Sequence, residues 1–271
     1  MCRHFAWLGR SRSIEELVLE PPYGLVRQAD RPRWQQMHVI NRDGFGVGWF
    51  PAPGRTATYR RTGPIEADPG FPALAAATAG TCVLAAVRGA SLGMPLEVEA
   101  TAPFTDGRVL LSLNGHLNVA KTEHLLMPGY PPESTCDAAL LASLLWQRLA
   151  AGERLTDAIT GLVRRIAWLD SNACLNLLAT DGTVVVATTW AETLCYRVEP
   201  DGVMVASEPH DDTADWTTVE DRSVVVASAH EVTVTPLEDS YAPDELETVK
   251  NEDGLAGIEP ETAVEGAAVA R

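Results

Sequence analysis

The sequence predicts an α+β fold in which two antiparallel sheets are covered on their outer sides by helices. Short apolar runs of the strand type recur along the chain. The pairs Asp181-Gly182 and Asp201-Gly202 between such runs favour hairpins, which join antiparallel strands. Two consecutive helical segments interrupt the strands in the middle of the chain. Helices in this order cover the outside of antiparallel sheets.

The first elements follow from local patterns. Residues 3–8 predict a strand that begins almost at the N-terminus. Ser13 to Leu19 has helical spacing, and Glu16 stands three residues after Ser13, which is the capping-box pattern. Residues 23–43 are polar and irregular.

Glycines alternate with larger residues in the next predicted strand, from Gly44 to Phe50. One face of this strand is therefore bare. We expect a neighbouring backbone or a ligand to pack closely against that face.

The other elements follow the same two periodicities. The remaining predicted helices are 71–79, 138–150 and 155–166. The remaining predicted strands are 56–61, 82–87, 109–113, 174–179, 184–189, 194–198, 203–207, 224–228 and 231–236.

The 271 residues suit one large domain followed by an acidic tail. Residues 238–271 carry ten acidic and two basic side chains, a balance of −8 within a net charge of −16. This segment is poor in apolar residues, so we predict a domain over 2–237 and a disordered tail over 238–271. The sequence contains neither a membrane-spanning run nor a secretory signal.

Charge and cysteine content exclude several classes of function. The net charge of −16 disfavours binding to nucleic acid or to an anionic membrane. The five cysteines are odd in number and include no Cys-x-x-Cys pair, which indicates a reducing, cytoplasmic location without disulfides or a zinc site. We expect no metal and no cofactor. The oligomeric state is not predicted.

Cys2 is the candidate nucleophile. Aminopeptidases remove Met1 before a small residue such as cysteine, which would leave a thiol and a free α-amine on one residue. The thiolate is the attacking species, and an α-amine that titrates at about pH 8 can accept the thiol proton and later return it to a leaving amine.

Three further polar sites stand at predicted strand ends or helix starts. Asn114 and Gly115 follow one strand and offer two N–H donors for an oxyanion. Arg88 ends another strand and can bind a carboxylate through two hydrogen bonds, with Ser91 adding a hydroxyl. Asp137 starts a helix and can bind an ammonium group. Together they suit a γ-glutamyl amide, which carries an α-carboxylate and an α-ammonium away from the scissile bond.

These residues fall in the order seen in class II glutamine amidotransferase domains, which the chain resembles over roughly residues 2 to 236. The resemblance rests on short motifs: Met1-Cys2-Arg3-His4, Asn41 to Gly48, Arg88 to Ser91, Leu113-Asn114-Gly115 and Ser134 to Asp137. It implies an N-terminal-nucleophile hydrolase with an αββα sandwich. It also implies Cys2 as nucleophile, Asn114 and Gly115 as oxyanion hole, and Arg88 and Asp137 as glutamyl-binding residues. Leu113 departs from the family, which usually has His there.

Further segments resemble one subgroup, the stand-alone amidohydrolases of ergothioneine biosynthesis, which release glutamate from γ-glutamyl-hercynylcysteine sulfoxide. They are Ala6 to Gly9, Ser91 to Pro95, Ala187 to Trp190 and Ala206 to Pro209. Candidate contacts for the trimethylammonium group of the leaving half, through their aromatic faces, are Tyr23, Trp34, Phe45 and Trp216. Each of the four could equally be a core residue.

Two alternatives stay open at this level. The chain could be a glutaminase subunit that supplies ammonia to a separate synthetase. It could also be an inactive regulatory or scaffold protein that uses the acidic tail.

Overall fold

Two antiparallel sheets face each other and form the centre of the fold, as the sequence predicts. The computed structural model describes residues 2–35 and 40–237. Within them, one sheet has seven strands in the order β11-β9-β10-β1-β4-β2-β3, and the other has six in the order β13-β12-β8-β7-β6-β5. The strands are β1 Cys2–Ser13, β2 Gly44–Ala52, β3 Arg55–Thr62, β4 Ala79–Arg88, β5 Phe104–Thr105, β6 Leu110–His116, β7 Cys174–Thr180, β8 Val185–Thr189, β9 Cys195–Glu199, β10 Gly202–Ala206, β11 Thr217–Thr218, β12 Ser223–Ala227 and β13 Val232–Pro236.

Helices cover both outer sides of this pair of sheets. The α-helices are α1 Leu25–Gln28, α2 Phe71–Ala77, α3 Val119–Thr122, α4 Asp137–Ala150 and α5 Leu155–Leu169. A π-helical turn spans Glu15–Leu19, and 3-10 turns span Ile65–Ala67, Val98–Ala100 and Glu123–Leu125.

Three apolar cores separate the four layers. Alternate residues of β1 point to opposite sides, so Phe5 and Trp7 pack under the N-terminal helices, whereas Ala6 and Leu8 pack between the sheets. The third core joins the six-stranded sheet to α4 and α5. Since Cys2 has the same parity as Ala6 and Leu8, its side chain belongs to the space between the sheets.

The bare glycine face of β2 is occupied by neighbouring chain, which settles the sequence-based expectation in favour of protein rather than ligand. A Cβ at Gly46 would overlap the backbone oxygen of Ala102, and one at Gly48 would meet the Leu110 side chain at 2.7 Å. The glycines therefore let residues 101–103 and β6 approach the sheet closely.

The predicted elements are recovered with shifted ends. The capping box is present: Glu16 N donates to Ser13 Oγ (3.1 Å) and Ser13 N donates to Glu16 Oε2 (2.8 Å). It caps a π-helical turn rather than a regular helix. Asp137 is the first residue of α4, with Cys136 at the N-cap, instead of the residue before the helix. The short elements α1, α3, β5 and β11 were not predicted.

The chain divides into two units, Met1–Asp239 and Ser240–Arg271. The predicted tail over 238–271 lies outside the described residues and stays a prediction. No helix in the described ranges is both long and apolar enough to cross a membrane.

Acid sensitivity is expected from His210, which is fully buried. Its ring meets Phe5 edge-on at 5.0 Å, and neither ring nitrogen has a partner among the described residues. Burial lowers the pKa of His210 to about 4. In the unfolded chain this histidine takes up a proton below about pH 6.5. The contribution of neutral His210 to the free energy of unfolding is therefore fully present above that pH. It declines by about 1.4 kcal/mol per pH unit as the pH falls towards 4.

Between pH 7 and pH 5, the free energy of unfolding should therefore fall by about 2 kcal/mol less in a His210→Phe variant than in the wild-type protein. Urea unfolding at the two pH values measures the difference. His124→Gln, at an exposed histidine, is the matched control. An unchanged pH dependence in His210→Phe would contradict this assignment.

Candidate active site

Cys2 and Arg88 are neighbours on adjacent strands. The first residue of β1 pairs with the last residue of β4, so Cys2 and Arg88 are directly opposite each other. Gly44, at the start of β2, pairs with Arg88 on its other side. The ends of three neighbouring strands, β1, β4 and β2, thus lie together at one end of the seven-stranded sheet.

Asn114 reaches Cys2 from the other sheet. The Cys2 backbone nitrogen donates a 3.0 Å hydrogen bond to Asn114 Oδ1. Because a peptide N–H only donates, the oxygen of the amide must face Cys2. The amide nitrogen, Asn114 Nδ2, then points away, and it is buried without a partner in the described part of the chain. A buried unpaired donor costs about 1–3 kcal/mol, so it calls for an acceptor that arrives with a ligand.

Gly115 is required by close packing. A Cβ at this position would overlap the carbonyl oxygen of Cys174 on the neighbouring strand β7. Glycine therefore lets β6 and β7 run in contact and leaves the Gly115 backbone open towards the pocket, which it lines.

One pocket collects these groups. Its empty volume is about 520 Å³, part of which is open to solvent. Its polar lining includes Cys2, Arg88, Ser91 and Asp137. Its apolar lining includes Ala86, Ala90, Met94, Ala100, Ala102, Phe104, Leu113 and Ala138. The structure thus brings together Cys2, Arg88, Ser91, Gly115 and Asp137, with Asn114 behind Cys2.

Arg88 is available for an anion. Its side chain is buried, with 7% of the residue exposed. Within residues 2–35 and 40–237, its guanidinium makes one hydrogen bond, from Nη1 to the Pro95 carbonyl (2.9 Å), and no ion pair. Buried arginines are normally paired with an acid, so the pocket suits a ligand that carries a carboxylate.

Asp137 provides the opposite charge. Its Oδ2 accepts from Leu117 N (3.2 Å) and its Oδ1 from Ala138 N (2.9 Å). Burial raises the pKa of this carboxyl group, and the two backbone hydrogen bonds partly offset that effect. Its contact with Leu117 also fixes the chain just beyond Gly115.

Cys2 is the one half-exposed cysteine. The other four are buried, and burial raises the pKa of Cys82 and of Cys174 to about 12. The pKa values of Cys136 and Cys195 are raised for the same reason. These four thiols stay protonated, including Cys136 on the pocket wall, so Cys2 is the thiol suited to nucleophilic attack.

Asp43 is a residue that sequence reasoning did not single out. Its nitrogen donates to the Arg88 carbonyl (2.9 Å), and its Oδ2 accepts from Ala90 N (2.8 Å). It therefore holds the chain on both sides of Gly89. Its place in the run Asn41 to Gly48 was the available indication. Among the apolar lining residues, Ala90, Met94 and Leu113 lie in motifs quoted above, and the others carry no such pattern.

The four aromatic residues considered for the leaving half do not line this pocket. Phe45 is buried against Phe71 at 4.9 Å, on the outer side of the sheet. The ring of Tyr23 is covered by Arg33, and that of Trp216 by Arg197. Trp34 packs against the same outer core. The assignment of Phe45 to a ligand was wrong, because odd residues of β2 face the helices.

No group of three or more His, Cys, Asp or Glu side chains in the described segments is arranged to hold a metal ion. The polar groups of the pocket are instead two opposite charges, a thiol and N–H donors. This set suits acyl transfer from a zwitterionic amide.

Comparison with known proteins gives consistent matches. No protein-family model matches the chain. It is 44% identical to a gamma-glutamyl-hercynylcysteine sulfoxide hydrolase of Mycolicibacterium smegmatis, over 88% of this chain and 100% of that protein. A protein of the same name from Mycobacterium tuberculosis is 42% identical, over 90% and 100%. A solved class-II glutamine aminotransferase domain protein from Silicibacter pomeroyi superposes with a TM-score of 0.61 at 19% identity, over 88% of this chain and 100% of that one.

Proposed function

Because the chain belongs to the gamma-glutamyl-hercynylcysteine sulfoxide hydrolase family, we propose that it hydrolyses the γ-glutamyl amide of γ-glutamyl-hercynylcysteine S-oxide. The products are glutamate and hercynylcysteine S-oxide, in ergothioneine biosynthesis. The observation that supports the mechanism is the Cys2–Asn114 contact, which leaves the Asn114 amide nitrogen buried without a partner among the described residues.

Binding uses the two charges of the pocket. Arg88 binds the α-carboxylate of the glutamyl group, and Ser91, exposed at the rim, adds a hydroxyl. Asp137 binds the α-ammonium. The apolar lining receives the methylene chain. This arrangement places the γ-carbonyl next to Cys2 without using any group of the leaving half.

The first half-reaction forms a thioester. After Met1 is removed, the Cys2 nitrogen is a free amine, and its contact with Asn114 Oδ1 orients it. The amine accepts the thiol proton, and the thiolate attacks the γ-carbonyl carbon. Asn114 Nδ2 and Gly115 N–H stabilise the oxyanion. Collapse breaks the C–N bond, and the leaving amine takes the proton from the Cys2 ammonium.

The second half-reaction releases glutamate. Water attacks the thioester carbonyl while the Cys2 amine accepts its proton, and the same two donors hold the oxyanion. Collapse expels the Cys2 thiolate, which recovers its proton from the amine. Neither half-reaction needs a cofactor. The five cysteines are all free, which supports a reducing, cytoplasmic setting for the protein.

The test is the release of free glutamate when the trimmed protein is incubated with the sulfoxide substrate, measured beside glutamine at equal concentration. We expect preference for the sulfoxide substrate. Strong preference for glutamine, increased by a synthetase partner, would instead support an ammonia-supplying subunit.

An Asp137→Asn variant should bind substrate more weakly. A charge-assisted hydrogen bond contributes about 1.5–3 kcal/mol, so KM should rise about tenfold to a hundredfold, with a smaller change in kcat. Steady-state kinetics measures both constants. Asp157→Asn, which removes an exposed carboxylate paired with Arg154 on α5, is the control and should leave KM unchanged.

The pH dependence of KM provides a second check on Asp137. Its raised pKa means that the carboxylate takes up a proton at a higher pH than an ordinary aspartate. Substrate binding needs the ionised form, so KM should be lowest above that pKa and rise as the pH falls through it. A wild-type KM that stays flat across this acid range would contradict the assignment.

A further inference from the structure

A second polar contact joins the two sheets beside the Cys2–Asn114 contact. His4 Nδ1 lies 3.0 Å from Ser112 Oγ, and both residues are fully buried. His4 follows Cys2 by two residues on β1, and Ser112 precedes Asn114 by two on β6. Side chains two residues apart on a strand point to the same face, so the Cys2–Asn114 and His4–Ser112 contacts lie next to each other between β1 and β6.

The backbone of His4 is fixed independently. His4 N donates to Ser207 Oγ (3.1 Å), and the His4 carbonyl accepts from Ser207 N (2.9 Å). The second ring nitrogen, Nε2, has no partner among the described residues. The hydrogen bond to Ser112 is therefore the polar contact that links the His4 ring to the opposite sheet.

The protonation state of His4 is set by its surroundings. Burial, with a smaller effect from Arg3, lowers the pKa of His4 to about 3, so the ring is neutral at working pH. A buried N–H without a partner is costlier than a bare acceptor nitrogen. We therefore assign the proton to Nδ1, which donates to Ser112 Oγ.

We propose that His4 and Ser112 are positioning residues, whose hydrogen bond sets the distance between the nucleophile strand β1 and the oxyanion strand β6. Neither residue lines the pocket. Their effect on the reaction passes through Cys2 and Asn114, which must reach the same carbonyl group from opposite sheets. The inference rests on the proposed function, since it assumes attack by Cys2 with the oxyanion on Asn114.

The effect on the two kinetic constants should differ. Oxyanion donors act at about 2.7–3.1 Å, and a misplacement of about 1 Å can cost about 10² in rate. Arg88 and Asp137 lie on β4 and α4, not on the two strands that the His4–Ser112 hydrogen bond joins. Loss of the His4–Ser112 hydrogen bond should therefore lower kcat and leave KM close to the wild-type value.

The experiment compares His4→Leu, which removes the hydrogen bond, with His4→Asn, whose amide can occupy the place of Nδ1. Ser112→Ala is the milder deletion on the other strand and covers the case in which His4→Leu does not fold. We expect kcat to fall by about 10² in His4→Leu, to fall in Ser112→Ala, and to recover largely in His4→Asn. The His4→Leu/Ser112→Ala double variant should lose little more than the worse single variant, because both remove one contact.

Thr180→Val is the control for a general loss of stability. Thr180 Oγ1 makes another buried inter-sheet contact, to Cys82 Sγ at 3.2 Å, away from the pocket. This variant should lower Tm and leave kcat unchanged. If Thr180→Val lowered kcat as well as Tm, the loss of kcat would be a general effect of lower stability, and the proposal would be overturned.

All variants are assayed as trimmed protein with both the sulfoxide substrate and glutamine. Wild-type kcat in folded Ser112→Ala, or a His4→Asn variant as slow as His4→Leu, would overturn the positioning role. Wild-type turnover of glutamine without turnover of the sulfoxide would overturn the proposed function alone, because the positioning role concerns the acyl half common to both substrates.

Discussion

Replacing Cys2 with alanine is expected to abolish glutamate release while the fold is retained. In the proposed mechanism Cys2 supplies the attacking sulfur, and the other four thiols are buried and held protonated. Alanine is also small, so Met1 should still be removed and the α-amine kept. The loss then reports the thiol alone. Removal of a catalytic nucleophile in other hydrolases costs about 10⁶ in kcat.

The measurement is the initial rate of glutamate release by the trimmed Cys2→Ala protein at saturating substrate. Cys136→Ala is the matched control, because Cys136 lines the same pocket but is 2% exposed. It should keep most of the activity. Full turnover by Cys2→Ala, or equal losses in the two variants, would contradict the nucleophile assignment.

Replacing Asn114 is expected to have the next largest effect. Asn114→Ala removes the unpaired Nδ2 donor and also the acceptor that orients the Cys2 nitrogen. Loss of one oxyanion donor typically lowers kcat by about 10²–10³. KM should change little, because the proposal assigns binding of the glutamyl charges to Arg88 and Asp137.

Asn114→Asp separates the two roles of the amide. Aspartate keeps an acceptor for the Cys2 nitrogen but places an oxygen where the oxyanion must form. It should be at least as slow as Asn114→Ala. Activity near wild type in Asn114→Asp would show that the side-chain nitrogen does not bind the oxyanion, and Gly115 would then remain as the donor on β6.

Much of the site could be predicted because its residues stand at the ends of elements. Cys2, Arg88 and Asn114 each begin or end an apolar strand pattern, and Asp137 stands at a helix start. The contact between Cys2 and Asn114 could not be predicted from local patterns, because it joins residues 112 positions apart in two different sheets. Strand order and sheet packing decide it.

The errors have equally specific causes. The alternation of Gly44, Gly46 and Gly48 already placed Phe45 on the opposite face of β2, and the structure shows that face packed under helices. The strands β5 and β11 have two residues each and pair only with neighbours distant in sequence or across a loop, so no periodicity marks them. The His4–Ser112 contact was missed because a lone histidine in a strand carries no pattern.

Mass spectrometry of the acid-quenched protein during turnover tests whether the trimmed Cys2 carries the glutamyl group as a thioester. The proposed thioester intermediate requires a chain without Met1 whose mass increases by one γ-glutamyl group, with the added mass on the N-terminal peptide and absent in Cys2→Ala. A fully active protein that retains Met1, or one whose glutamyl adduct lies on another residue, would contradict it.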